Sequence, residues 1–358
     1  MRNILLTSLS CIVFTFAFGQ IVNPIQQADS LTSYKNLGTN GLQFKLLPIV
    51  NKLQYVGDNP YDWNDGAMIP AKGWQQYMNA GINFKWKHFE LQIAPEFVAA
   101  QNLSFQGFND NLDQLHWKDY YRFYNFIEEP ERMGTTQYNK LFGGQSYLQY
   151  SFKNTAVQFS TANKWWGPGF RNALILSNNA PGFPHISIAS KQPLKTKIGS
   201  FQYEFIWGQL LNSNYPPPNN YLSYNGEQMY AQKEDRTRSF QAMHIRYIPK
   251  WFSNLTLGIE QSFMQYEDQL FGIANYIPIK NIIYRLPNDQ LNQPITLTAF
   301  YFNYELPAVQ AKIYGEWGWN LNRTSLRNWM IQPDKGMANV LGISKIFTTR
   351  QKHYWEFK

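Results

Sequence analysis

Between residues 163 and 181 the chain reads Asn163-Lys164-Trp165-Trp166-Gly167-Pro168-Gly169-Phe170-Arg171 and then Leu174-Ile175-Leu176-Ser177-Asn178-Asn179-Ala180-Pro181. Pro168 fixes its own φ and has no N–H to give, and the glycines on either side tolerate backbone angles that a Cβ forbids. The run must turn sharply while carrying two indole rings. The Arg171 cation lies just beyond, and the amides of Asn178 and Asn179 follow. Aromatic faces pack against the apolar faces of sugar rings, while amides and a guanidinium hydrogen-bond hydroxyls and carboxylates. Trp165, Trp166, Arg171, Asn178, Asn179 and His185 are accordingly the candidate polysaccharide-binding residues. The same run also fits a turn at the rim of a membrane β-barrel, with its tryptophans seated at the lipid headgroups. The residues alone leave both readings open.

Other clusters carry weaker chemistry. In His185-Ile186-Ser187, positions two apart share a strand face, so an imidazole and a hydroxyl would sit side by side as base and nucleophile, as in outer-membrane phospholipases. A bare His-x-Ser is nonspecific, and polar residues on a water-facing strand explain it equally simply. Glu128-Glu129-Pro130-Glu131-Arg132 could supply paired acids for glycoside hydrolysis, but its mixed charges read as a solvated face. The five histidines, His88, His116, His185, His244 and His353, form no metal-ligand spacing. No phosphate-cradling or dinucleotide motif occurs, so neither a metal nor a cofactor is expected.

The elements that must hold these residues are strands. Charged residues make up only 16% of the 358 and aromatics 17%. The mean hydropathy is −0.44. Past the N-terminus no apolar run is long enough for a membrane helix. The apolar residues are instead dealt out alternately. Phe201, Tyr203, Phe205 and Trp207 alternate with Gln202, Glu204 and Ile206. Phe300, Phe302 and Tyr304 oppose Ala299, Tyr301 and Asn303, and Trp317 and Trp319 oppose Tyr314 and Glu316. Further strands are expected over 41–50, 78–87, 89–98, 144–152, 240–248, 340–348 and 353–357, roughly a dozen in all. Tight links at 152–155, 306–308 and 350–352 alternate with long ones at 57–72, 101–142, 212–238 and 268–294. That is the rhythm of an up-and-down barrel. A short amphipathic helix is expected over 115–127. The predicted fold class is an all-β transmembrane antiparallel barrel of the bacterial outer membrane. Because the chain stops at Lys358 when its last strand has barely begun, the barrel is expected to be incomplete at the C-terminus.

Residues 1–19 read as a cleaved export signal: Arg2, an apolar stretch from Ile4 to Phe18, and a small-residue site at Ala17-Phe18-Gly19. Residues 20–358 then form a single barrel domain. The one cysteine, Cys11, falls inside the signal, so no disulfide framework is expected. A net charge of +8 on an exported chain points away from nucleic acid. It points toward lipopolysaccharide phosphates or an acidic polysaccharide, or toward lysines lining rims that face anionic lipid.

Trp165-Trp166-Gly167-Pro168-Gly169 with Ser177-Asn178-Asn179-Ala180 and Gly182-Phe183-Pro184-His185 resembles the signature of the Wzi capsule-assembly family. Glu129-Pro130-Glu131-Arg132-Met133-Gly134, Gly143-Gly144-Gln145-Ser146, Lys195-Thr196-Lys197-Ile198-Gly199 and Gly208-Gln209-Leu210-Leu211 continue the pattern in order. The resemblance spans about 115–211. It implies an outer-membrane barrel of about eighteen strands that acts as a lectin-like factor, holding capsular or extracellular polysaccharide without catalysis. The segment 20–40 leaves little room for the periplasmic helical bundle that members of the family can carry. A diffusion channel for sugars or small solutes is the alternative, and a membrane hydrolase using His185 and Ser187 is a further one.

Overall fold

In the computed structural model of the chain, the described residues are 13–14, 33–37, 41–62, 64–125, 130–217, 219–232, 234–270, 295–320, 336–348 and 354–357. Most of their strands lie in one antiparallel sheet. Its path is β2 (Lys35–Leu37), β3 (Leu42–Leu46), β6 (Ile82–Trp86), β7 (Phe89–Ile93), β10 (Tyr147–Phe152), β11 (Thr155–Ser160), β12 (His185–Ser190) and β14 (Gly199–Leu210), followed by β17 (Arg238–Pro249), β18 (Leu255–Tyr266), β19 (Ile295–Leu306), β20 (Ala311–Asn320), β21 (Met337–Thr348) and β22 (Tyr354–Phe357). The short β13 (Leu194–Lys195) also pairs with β14. The wall is thus fourteen strands long among the described residues, close to the dozen expected from alternation and short of the eighteen implied by the resemblance. It is open, with β2 and β22 as its two edges. The turn at 350–352 lies outside the described residues.

A second, five-stranded sheet contains β1 (Val13–Phe14), β4 (Val50–Val56), β5 (Gly73–Asn79), β8 (Glu96–Ala100) and β9 (Tyr138–Phe142). It continues the first. The runs 41–50, 78–87 and 89–98, expected as unbroken strands, each bend midway: at Pro48 between β3 and β4, at Ala80-Gly81 between β5 and β6, and at Pro95 between β7 and β8. Gly143-Gly144 makes the same bend between β9 and β10. Proline cannot donate to a ladder, so the ladder must break there. The freed groups find other partners. Leu47 N–H donates to Gly81 O (2.9 Å) and Gln145 N–H to Ala94 O (2.9 Å). The Asn79 amide donates to both Ala94 O and Pro95 O, and Ala94 N–H donates to Ser146 Oγ.

The alternation expected from sequence becomes two faces. Tyr203, Ile245, Ile259, Phe300 and Trp317 are successive register partners across β14, β17, β18, β19 and β20. They belong to the face on which Leu148, Phe159, Ile186 and Ile343 also stand exposed. One residue along each strand, Glu204, His244, Glu260, Ala299 and Gly318 form the matching row of the opposite, inner face. A one-residue slip would exchange these rows, so burial fixes the register. The tight links (87–88, 153–154, 307–310) all lie at one end, and the long links (57–72, 101–137, 161–184, 211–237) all at the other.

The long-loop end contains α1 (Gln114–Tyr124), where the amphipathic helix was expected. Asp113 caps it, accepting from Leu115 N–H and His116 N–H. The helix buries Trp117, Tyr120 and Tyr121 against Phe108 and against Leu222, Met229 and Tyr230 of the segment that forms the hairpin β15 (Ser223–Tyr224) and β16 (Glu227–Gln228).

Candidate functional site

The inner wall near the middle of β14–β20 is polar and closed. Glu260 and Glu316 are fully buried. His244 Nε2 lies 2.8 Å from Tyr301 Oη and 3.8 Å from Glu260 Oε1. Strand alternation put these groups on one face, and buried acids of this kind require partners from another element.

The signature segment supplies them. After β11 the chain leaves the wall and folds inward over residues 161–184. Lys164 Nζ meets Glu204 Oε1 at 2.7 Å, and Trp166 Nε1 donates to Glu204 Oε2 at 2.9 Å. The Trp166 ring lies 5.2 Å from His244 and packs with Ile206, Phe240 and Ala242. Gly167 has φ +82°, and a Cβ there would come within 2.6 Å of Glu316 Oε2. Leu174 N–H donates to Glu316 Oε1 (2.9 Å). Trp165 Nε1 closes its own turn on Gly169 O (3.0 Å). The Trp-Trp-Gly-Pro-Gly turn is therefore seated against three wall carboxylates: Glu204 through the Trp166 indole, Glu316 packed against Gly167, and Glu260 beside the Gly167 backbone.

A second set of bonds fastens the segment to the 57–72 loop. Asn64 Nδ2 donates to Arg171 O (2.5 Å) and Ser177 Oγ to Asn64 Oδ1 (3.0 Å). Gly66 N–H donates to Asn178 O (2.7 Å). Gln145 Nε2 bridges Glu96 Oε1 (2.8 Å) and Asn163 Oδ1 (3.0 Å), and Tyr77 Oη donates to the same Glu96 oxygen. The cavity left among Lys52, Asp65, Tyr77, Glu96, Asn163 and Asn178 is about 30 Å³. That is the room of about one water.

The six residues singled out from sequence fall into three settings. Trp166 and His185 are buried on the inner face. Asn178 is buried beside Asp65 and Gly66. Arg171 and Asn179 are exposed, with Trp165 half-buried between. His185 Nδ1 bonds Phe183 O (2.8 Å), and both His185 and Ser187 are 2% exposed. No hydrogen bond joins that pair among the described residues. Glu131, read from sequence as part of a solvated face, instead accepts from Tyr120 Oη (2.8 Å) and from Phe108 N–H. Burial, then this bond, pushes the Tyr120 phenol well above the ordinary tyrosine range. Glu128, Glu129 and His353 lie outside the described residues.

The profile of the capsule assembly protein Wzi family matches residues 65–324. The chain belongs to that family. The match covers the whole inward segment, its carboxylate seats and the clamp at Gly66, and it reaches far beyond the 115–211 stretch where the resemblance was legible. No curated protein matches the chain. Capsule assembly is therefore the role its family carries, and it is not a known enzyme family. The signature of the Wzi family is here an internal fastening as much as a display of aromatic rings. Sequence reasoning missed Glu204 and His244 as partners of Trp166, and Glu316 as the partner of Gly167 and Leu174. An acid in the middle of an aromatic strand was the available signal, but its partner stands 38 residues away for the Trp166–Glu204 bond and 142 for Leu174–Glu316.

Proposed function

We propose that this chain is an outer-membrane, lectin-like barrel, exported through its first nineteen residues, that holds surface polysaccharide and assists capsule or exopolysaccharide assembly or attachment. Family membership carries the reading. The outward apolar face supports the membrane location, since an aqueous protein rarely leaves so many large apolar side chains exposed. The long-loop end then faces outward, with lipopolysaccharide around it. In the inward segment, Trp165, Arg171 and Asn179 are the solvent-reachable glycan contacts, while Trp166, Asn178 and His185 hold the segment in place.

The deciding experiment measures polysaccharide retained on cells producing variants. Trp165→Ala with Arg171→Ala should release polysaccharide into the medium while heat-modifiable, membrane-inserted protein persists. Full retention by inserted protein rejects these contacts.

The tight seating of the 161–184 segment speaks against the open-channel alternative. Planar-bilayer recordings should show no conductance from the unaltered protein, and Trp166→Ala should introduce brief openings. A steady current from the unaltered protein would restore the channel reading.

A further inference from the structure

Two clefts lie side by side at the long-loop end, and Tyr124 and Pro130 line both. Their volumes are about 370 and 450 Å³, within the roughly 300–1,000 Å³ of ligand sites. The cavity beneath the signature segment is far smaller. The aromatic walls are set in advance. Tyr124 stacks on Tyr120 at 4.4 Å and 20°. Tyr230 lies 6.0 Å from Tyr121, and Tyr215 lies 6.5 Å from Tyr138. Tyr124, Tyr215 and Tyr230 are half-buried, while Tyr61 of the smaller cleft is exposed. Asn125, at the end of α1, ties the opposite wall in place: its Nδ2 donates to Met229 O and its Oδ1 accepts from Ala231 N–H, both at 2.9 Å. Asn219 Nδ2 donates to Asp110 Oδ1 at 2.6 Å, closing the far side.

The polar lining has one sign. The larger cleft offers amides, among them Asn212, Asn220, Gln228 and Gln232, together with Asp235. The smaller offers Asp58, Asp62 and Glu131. Neither contains a lysine or arginine among its described lining residues, although the chain carries a net charge of +8. Two described cations close by in the chain are engaged. Lys72 sits 2.5 Å from Asp58, and Arg236 pairs with Glu234 and Asp268 and lies over the Tyr266 ring.

We propose that this double cleft is a binding site for an uncharged pyranose segment, stacked across Tyr124 and hydrogen-bonded through its hydroxyls to the amides and carboxylates. The proposal rests on the polysaccharide-binding reading and adds to it the place and the charge class of the sugar. Uronate, sulfate or phosphate groups would meet the carboxylates of Asp62, Glu131 and Asp235 with no lysine or arginine among the described lining residues, which disfavours them by about tenfold or more. Neutral sugar hydroxyls are donors suited to carboxylates, and tyrosine faces suit their apolar ring faces.

The full chain in detergent is examined by saturation-transfer NMR with maltohexaose, chitohexaose and hexagalacturonate, alongside retention of the cells' own polysaccharide. Transfer to at least one neutral oligosaccharide and none to hexagalacturonate is expected. Tyr124→Ala should weaken the neutral interaction by about tenfold, in line with one lost stacking contact. Tyr124→Phe should preserve it, which separates ring stacking from misfolding. Asp235→Lys should admit hexagalacturonate. Transfer to hexagalacturonate alone, transfer to neither neutral probe, or neutral binding indifferent to Tyr124→Ala overturns the cleft while cell-surface retention leaves the parent reading standing. Loss of the chain without any change in retention takes down the parent reading instead.

Discussion

Gly167 and Glu316 constrain one another, because the carboxylate occupies the space a Cβ would need and the backbone is left-handed there. Gly167→Ala adds about 1–2 kcal/mol of backbone cost before any clash. The expected outcome is protease cleavage within 161–184 of folded protein, with the sheet's heat-modifiability unchanged; protection equal to the parent's would contradict the seating. At the other residue of interest, the His116 ring hydrogen bond holds the Asp113 carboxyl below its usual value. A lowered folded-state value means the cap contributes fully above the unfolded aspartate pKa of about 3.9 and is lost as pH falls through the lowered one. Hydrogen exchange of the amides following Asp113 should therefore be flat from neutral pH down to about 4 and accelerate only below that, after correction for intrinsic rates. Acceleration beginning near neutrality would contradict it.

Among the elements, the bent strands show how a broken ladder can still hold. Asn79 is buried and gives its amide to two carbonyls at the bend before β8. Asn79→Ala leaves them without that donor, at about 1–3 kcal/mol. A lowered unfolding midpoint in urea, with an unchanged strand signal in the folded state, is the result that checks it. Helix α1 plays a different part. Its buried face of Trp117, Tyr120 and Tyr121 packs on Tyr124 and Tyr230 of the cleft, so its stability and the shape of that cleft are linked through the same rings.

For the whole molecule, the assignment of faces is the claim on which the membrane location depends. Phe300 stands on the apolar face and is exposed. Phe300→Lys should destabilise the protein refolded in vesicles by about 2–4 kcal/mol if the residue meets the bilayer middle. The same change at Thr256, on the inner face by its register with Asn303, should cost clearly less. Equal costs at the two sites would mean that the faces do not meet different solvents. The inner side has its own consequence: because the 161–184 segment packs on the inner face of β14–β20, the glycan contact proposed above belongs to the long-loop end.

Period-two alternation, the spacing of tight and long links, and the amphipathic run over 115–127 were enough to read the sheet, its two faces and the helix, because each is set by residues close together in the chain. The bends were not read from the sequence. Pro48 and Pro95 fall inside runs expected as unbroken strands, and nothing local showed that four strands bend in line. The turn in Trp-Trp-Gly-Pro-Gly was legible from its own residues, and so was its family signature. The direction of that turn was not, since it depends on Glu204 and Glu316 in strands far along the chain and on Asn64 far before it. The sequence by itself determined the alternating strands and the bent turn, which follow from local sterics and burial. Only the tertiary structure decided that Trp166 is a fastening on buried carboxylates and that the open, ring-lined space lies beside Tyr124, because those depend on which distant side chains meet.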